Sequence, residues 1–126
     1  MAKKKFIKFF DELGIKDVPQ VGGKNASLGE MYRKLTKKGV NVPGGFATTA
    51  WSYRYFIEQT ELKEKIREVL EDLNAHDVEE LMKKGGQVRR AILSKDLPKE
   101  FEEAITKAYK KLSKDNKVAN LDVAVR

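Results

Sequence analysis

Two adjacent glycines followed by a lysine, Gly22-Gly23-Lys24, stand directly before a segment with helical periodicity. Leu28, Met31, Tyr32 and Leu35 fall at i, i+3, i+4 and i+7, one face of a helix. Glycine permits positive φ and close backbone approach. The first turn of a helix carries outward N–H groups and partial positive charge, a setting that holds a phosphate. Lys24 in that turn is unfavourable against the dipole by roughly 0.3–1 kcal/mol when exposed. A bound anion reverses that sign. The same residues also fit a glycine turn followed by a solvated lysine, and the local pattern alone leaves both readings open.

Two standard nucleotide motifs are excluded. A P-loop needs a glycine where Val18 stands and a Ser or Thr where Asn25 stands. No Gly-x-Gly-x-x-Gly fingerprint is present. The chain has 126 residues, no Cys and one His. Thiol nucleophiles, disulfides, Cys-ligated metals and multi-His metal sites are therefore excluded. The lone His76, beside Asp77, reads as a surface residue at a helix start. The net charge of +7 favours an anionic partner, yet the lysine clusters alternate with acids and carry no nucleic-acid motif. No specific nucleic acid and no membrane are expected. The basic start lacks the apolar stretch of a secretory signal, and the absence of Cys fits the expected cytoplasmic location.

The elements that must position Lys24 are short. Phe6–Phe10 and Phe46–Thr49 read as strands, and Leu121–Val125 alternates as a third strand would. Residues 11–20 read as a loop and Asn25 as the start of a helix. Gly39 suits a left-handed C-cap, and Thr49 and Thr60 suit N-caps. Four helices are expected after Thr49. The first buries Tyr53, Phe56 and Ile57, with Trp51 and Tyr55 packing elsewhere. The second carries Leu62, Ile66, Val69, Leu70 and Leu73. The third runs from about His76 to Leu93, despite Gly85-Gly86 in its middle. The last opens on Pro98 and buries Phe101, Ile105, Ala108 and Leu112. The expected class is α+β, a small sheet with about five helices. An open sheet edge predicts self-association.

Residues 17–31, Asp-Val-Pro-Gln-Val-Gly-Gly-Lys-Asn-Ala-Ser-Leu-Gly-Glu-Met, precede residues 39–50, Gly-Val-Asn-Val-Pro-Gly-Gly-Phe-Ala-Thr-Thr-Ala. With Phe9–Gly14, Arg89–Ile92 and Val123–Arg126, this closely resembles the start of the phosphoenolpyruvate synthase and pyruvate phosphate dikinase family. The resemblance covers essentially the whole chain. It implies the first lobe, incomplete, of an ATP-grasp-like nucleotide-binding domain. It implies ATP as ligand, with Lys24 and Arg126 contacting the phosphates and Gly22 and Gly23 shaping the supporting turn. It also implies Mg²⁺, with ligands outside this chain. The partners implied are a second ATP-grasp lobe, a phosphohistidine domain and a pyruvate-binding barrel. Family members run on past the position of Arg126. The chain is therefore expected to be a fragment, with no complete catalytic set and no activity alone. Two alternatives share the fold: a stand-alone nucleotide- or partner-binding module, and a fragment of a related dikinase or phosphotransferase.

Overall fold

The computed structural model describes residues 4–126. Strands β1 (Ile7–Phe9) and β2 (Phe46–Thr48) pair antiparallel, with Ile7 opposite Thr48, Lys8 opposite Ala47 and Phe9 opposite Phe46. Bonds from the Thr49 N–H to the Phe6 carbonyl and from the Phe10 N–H to the Gly45 carbonyl extend the ladder at both ends. Helix α1 (Val18–Leu35) lies between the two strands, and α2 (Ala50–Gln59), α3 (Leu62–Leu70), α4 (Val78–Leu93) and α5 (Lys99–Asp115) follow β2. This is the expected α+β class. Among the described residues no helix is long and apolar enough to cross a membrane.

The chain divides into two compact units. Among the described residues one comprises 4–53 together with 99–126, and the other 54–98. In the first, Leu13, Val21, Ala26 and Ala47 form the buried cluster, with Phe10 packed against it. Burying such side chains contributes about 25 cal/mol per Å² of apolar surface. Phe6 stacks on Phe101 of α5 at 5.3 Å and meets Trp51 at 4.8 Å. The Lys111 ammonium lies 4.8 Å from the centre of the Phe9 ring.

Thr49 is the N-cap of α2, as its position predicts. Its Oγ1 accepts the Ser52 N–H at 3.1 Å and also lies 2.7 Å from the Lys5 carbonyl. Ser52 Oγ donates to the Phe6 carbonyl at 2.6 Å, so Ser52 is fully buried. This sets the rotation of α2. Tyr53, expected in the core, is 52% exposed, while Phe56 is buried as expected. Gly39 is left-handed, φ 82°, and closes the short 3-10 turn after α1 as expected.

In the second unit Phe56 and Leu62 are buried and α3 packs against α4. Thr60 does not cap α3. Its hydroxyl donates back to the Phe56 carbonyl, and Glu61, at φ 60°, stands at the cap position. The Asp77 carboxylate caps α4 by accepting the Glu80 N–H at 3.2 Å. Gly85 and Gly86 do not break α4.

The expected third strand is absent among the described residues. Residues 121–126 are irregular, and Val125 is 90% exposed. The backbone of Leu121 is instead held by two side chains of α5: its N–H donates to Ser113 Oγ at 3.2 Å and its carbonyl accepts from Tyr109 Oη at 2.7 Å. Those two bonds tie both backbone groups of Leu121, the first residue of the expected strand, to α5.

Candidate functional site

The helix α1 begins earlier than its periodicity suggests. Pro19 lies in its first turn, where a missing N–H costs nothing. The helix is then interrupted at Gly22, at φ 82° and ψ 164°. That conformation is essentially restricted to glycine. Gly23, Lys24 and Asn25 form the first turn of the helical segment that follows, where N-terminal partial charge gathers. The Asn25 side-chain amide donates across the interruption to the Val21 carbonyl at 3.0 Å.

Burial shows how the turn is held. Val21 and Ala26 are both buried in the core, while Gly22, Gly23 and Lys24 between them are exposed. The site is thus an outward turn with both feet in the hydrophobic cluster. Lys24 forms no ion pair with any described residue. Its ammonium is available to an anion.

The segment before α1 fixes the turn from below. A 3-10 turn at Phe10–Glu12 is closed by the Glu12 carboxylate, which accepts the Phe9 N–H at 2.9 Å. A second, at Ile15–Asp17, is closed by Asp17, which accepts the Gly14 N–H at 2.9 Å. Between them Leu13 is fully buried against Gly29. A Cβ on Gly29 would lie 2.4 Å from the Leu13 Cβ and 2.8 Å from its carbonyl oxygen, so only glycine lets helix and turn approach. Glu30 completes the clamp by accepting the Ile15 N–H at 2.9 Å while Lys34 pairs with it at 2.6 Å. The Lys34 ammonium and the Ile15 N–H hold the Glu30 carboxyl below its ordinary value. Burial raises the Glu12 carboxyl, but the Phe9 N–H and the Lys5 ammonium outweigh it and the net displacement is downward.

Of the sequence-predicted site residues, Gly22, Gly23 and Lys24 share this one turn. Arg126 lies in the exposed irregular segment after Leu121 and has no ion pair or hydrogen bond with a described residue. His76 is exposed, and its N–H donates to Asn74 Oδ1. Sequence reasoning missed Gly29, Leu13 and Glu30, which position the turn without facing a ligand. A glycine in the middle of an amphipathic stripe was the available signal. A shallow hollow on α5, lined by Glu102, Glu103, Thr106, Lys107 and Lys110, contains none of the predicted residues. No group of three or more His, Asp or Glu among the described residues is placed to hold a metal ion.

Residues 18–126 match the family described as the pyruvate phosphate dikinase AMP/ATP-binding domain. The chain is 46% identical over 123 residues to a phosphoenolpyruvate synthase of Aquifex aeolicus, covering 98% of this chain and 14% of the relative. It is 50% identical over 103 residues to one of Synechocystis, covering 82% and 13%. It is 46% identical over 121 residues to one of Neisseria meningitidis, covering 96% and 15%. The chain therefore spans only 13–15% of the length of these relatives.

Proposed function

Because the chain belongs to the pyruvate phosphate dikinase AMP/ATP-binding domain family, we propose that it is the ATP-binding portion of a phosphoenolpyruvate synthase, acting in the cytoplasm. The overall reaction would be ATP, pyruvate and water giving AMP, phosphoenolpyruvate and phosphate. The observation that carries the reading is the turn at Gly22, which holds an unpaired Lys24 outward between two buried anchors.

Lys24 contributes a compact positive charge at the phosphates, beside the positive end of the helical segment that starts at Gly23. Phosphoryl transfer depends mainly on positioning and on stabilising charge as it shifts between oxygens. A lysine held on a fixed turn serves both. Arg126 adds a forked donor able to bind phosphate through two parallel N–H bonds. Gly22 supplies the backbone direction that lets Lys24 face the ligand.

Mg²⁺ does not fit the donors present, since the described residues offer no carboxylate or histidine cluster. Its ligands would lie in the parts of the longer enzyme that this chain does not span. Those parts would include a second ATP-grasp lobe, a phosphohistidine domain and a pyruvate-binding barrel. This chain alone is expected to bind without turning over.

The test is an ATP titration followed by two-dimensional amide NMR. Shifts concentrated at residues 22–26, and lost in Lys24→Ala, are expected. Shifts that Lys24→Ala leaves unchanged would refute the assignment of Lys24.

A further inference from the structure

Helix α4 carries two glycines in its middle, and neither has positive φ. No turn requires them, and each costs the helix about 1 kcal/mol relative to alanine. What occupies the space above them is arginine. A Cβ on Gly85 would lie 3.4 Å from Arg89 Nη1. A Cβ on Gly86 would lie 3.3 Å from Arg90 Nη1 and 3.8 Å from Arg89 Nη2. Two guanidinium groups therefore fold back along the helix and converge on the place a side chain at position 86 would fill.

Neither arginine has a carboxylate partner among the described residues, although the same helix makes one elsewhere, between Lys84 and Glu80 at 3.2 Å. Positions three and four before and after Arg89 and Arg90 hold Gly85, Gly86, Gln87, Ile92, Leu93 and Ser94, none of them acidic. Glu80 lies six residues before Gly86, about 9 Å along the axis at 1.5 Å per residue. Two like charges brought together and exposed repel. An anion seated between them reverses that sign. Each guanidinium presents a planar fork matched to a pair of oxygens.

We propose that Arg89 and Arg90, converging over Gly86, form a phosphate-binding site on α4, separate in sequence from the Gly22–Lys24 turn. The ligand class is a tetrahedral phosphate, free or as a monoester.

The experiment uses the full chain and NMR of the α4 amides and the arginine Nε–H groups. Inorganic phosphate and glycerol phosphate are titrated in parallel at constant ionic strength, with acetate as control. Saturable shifts at residues 85–90 with phosphate and not with acetate are expected. Response to glycerol phosphate identifies an ester site, and response to inorganic phosphate alone identifies a free-ion site. Arg89→Lys and Arg90→Lys keep the charge and lose the fork, so each weakens binding by roughly tenfold. Gly86→Ala raises the melting temperature and weakens phosphate binding, because the methyl group fills the place where the forks meet. Lys24→Ala leaves the α4 shifts intact. Absence of shifts at millimolar phosphate, equal response to acetate, or unchanged affinity in both lysine variants would overturn the proposal.

Discussion

Replacing Gly22 with alanine isolates the backbone contribution to the candidate site. At φ 82° and ψ 164° an L-residue is strained, and a Cβ there would meet no atom within 4 Å. The cost is therefore conformational alone, about 1–3 kcal/mol. With a urea slope of roughly 2 kcal/mol/M, the unfolding midpoint should fall by about 0.5–1.5 M. Trp51 is the single tryptophan and lies in the same unit as Gly22, so its fluorescence reports the relevant transition. Gly23→Ala is the control. Its Cβ also meets nothing, and its φ is not positive, so the midpoint should stay or rise slightly. D-alanine at position 22, introduced by semisynthesis, should recover most of the loss, because the mirror image of this conformation borders the extended basin. Equal midpoints for Gly22→Ala and Gly23→Ala would refute the strain argument. So would a D-alanine variant no better than the L-form.

Gly29→Ala drives a methyl group into the Leu13 backbone and should cost at least about 1–3 kcal/mol, read from the same urea curve. Glu12 and Glu30 both have folded values below their ordinary 4.5. Their stabilisation is complete above the unfolded value and disappears as pH falls through the folded one. The Trp51-reported midpoint should therefore drop below about pH 4.5, more shallowly in Glu30→Gln than in the parent.

What could be read from the sequence was local chemistry. Gly39 and Thr49 act where they stand because a left-handed cap and a hydroxyl cap depend on their own neighbours. The Gly22–Lys24 turn was visible for the same reason. Features set by distant residues were not visible. Tyr53 faces outward because Ser52 is pulled inward to the Phe6 carbonyl, 46 residues away. Leu121–Val125 alternates like a strand, yet Tyr109 and Ser113 take the backbone groups of Leu121 first. Thr60 has the type of a cap, but its hydroxyl donates to the Phe56 carbonyl one turn back. Gly29 is required by Leu13, sixteen positions earlier, whose side chain and carbonyl lie against it.

The buried pair Val21 and Ala26 makes the segment between them an exchangeable cassette. Positions 23 and 24 point away from the core and can be varied without altering its packing, whereas position 22 must stay glycine and Asn25 ties the cassette ends through the Val21 carbonyl. Under the proposed phosphate-binding role, ligand preference at this turn would be tunable almost independently of folding. A library confined to positions 23 and 24 would explore recognition while drawing little on the stability of the unit that carries it.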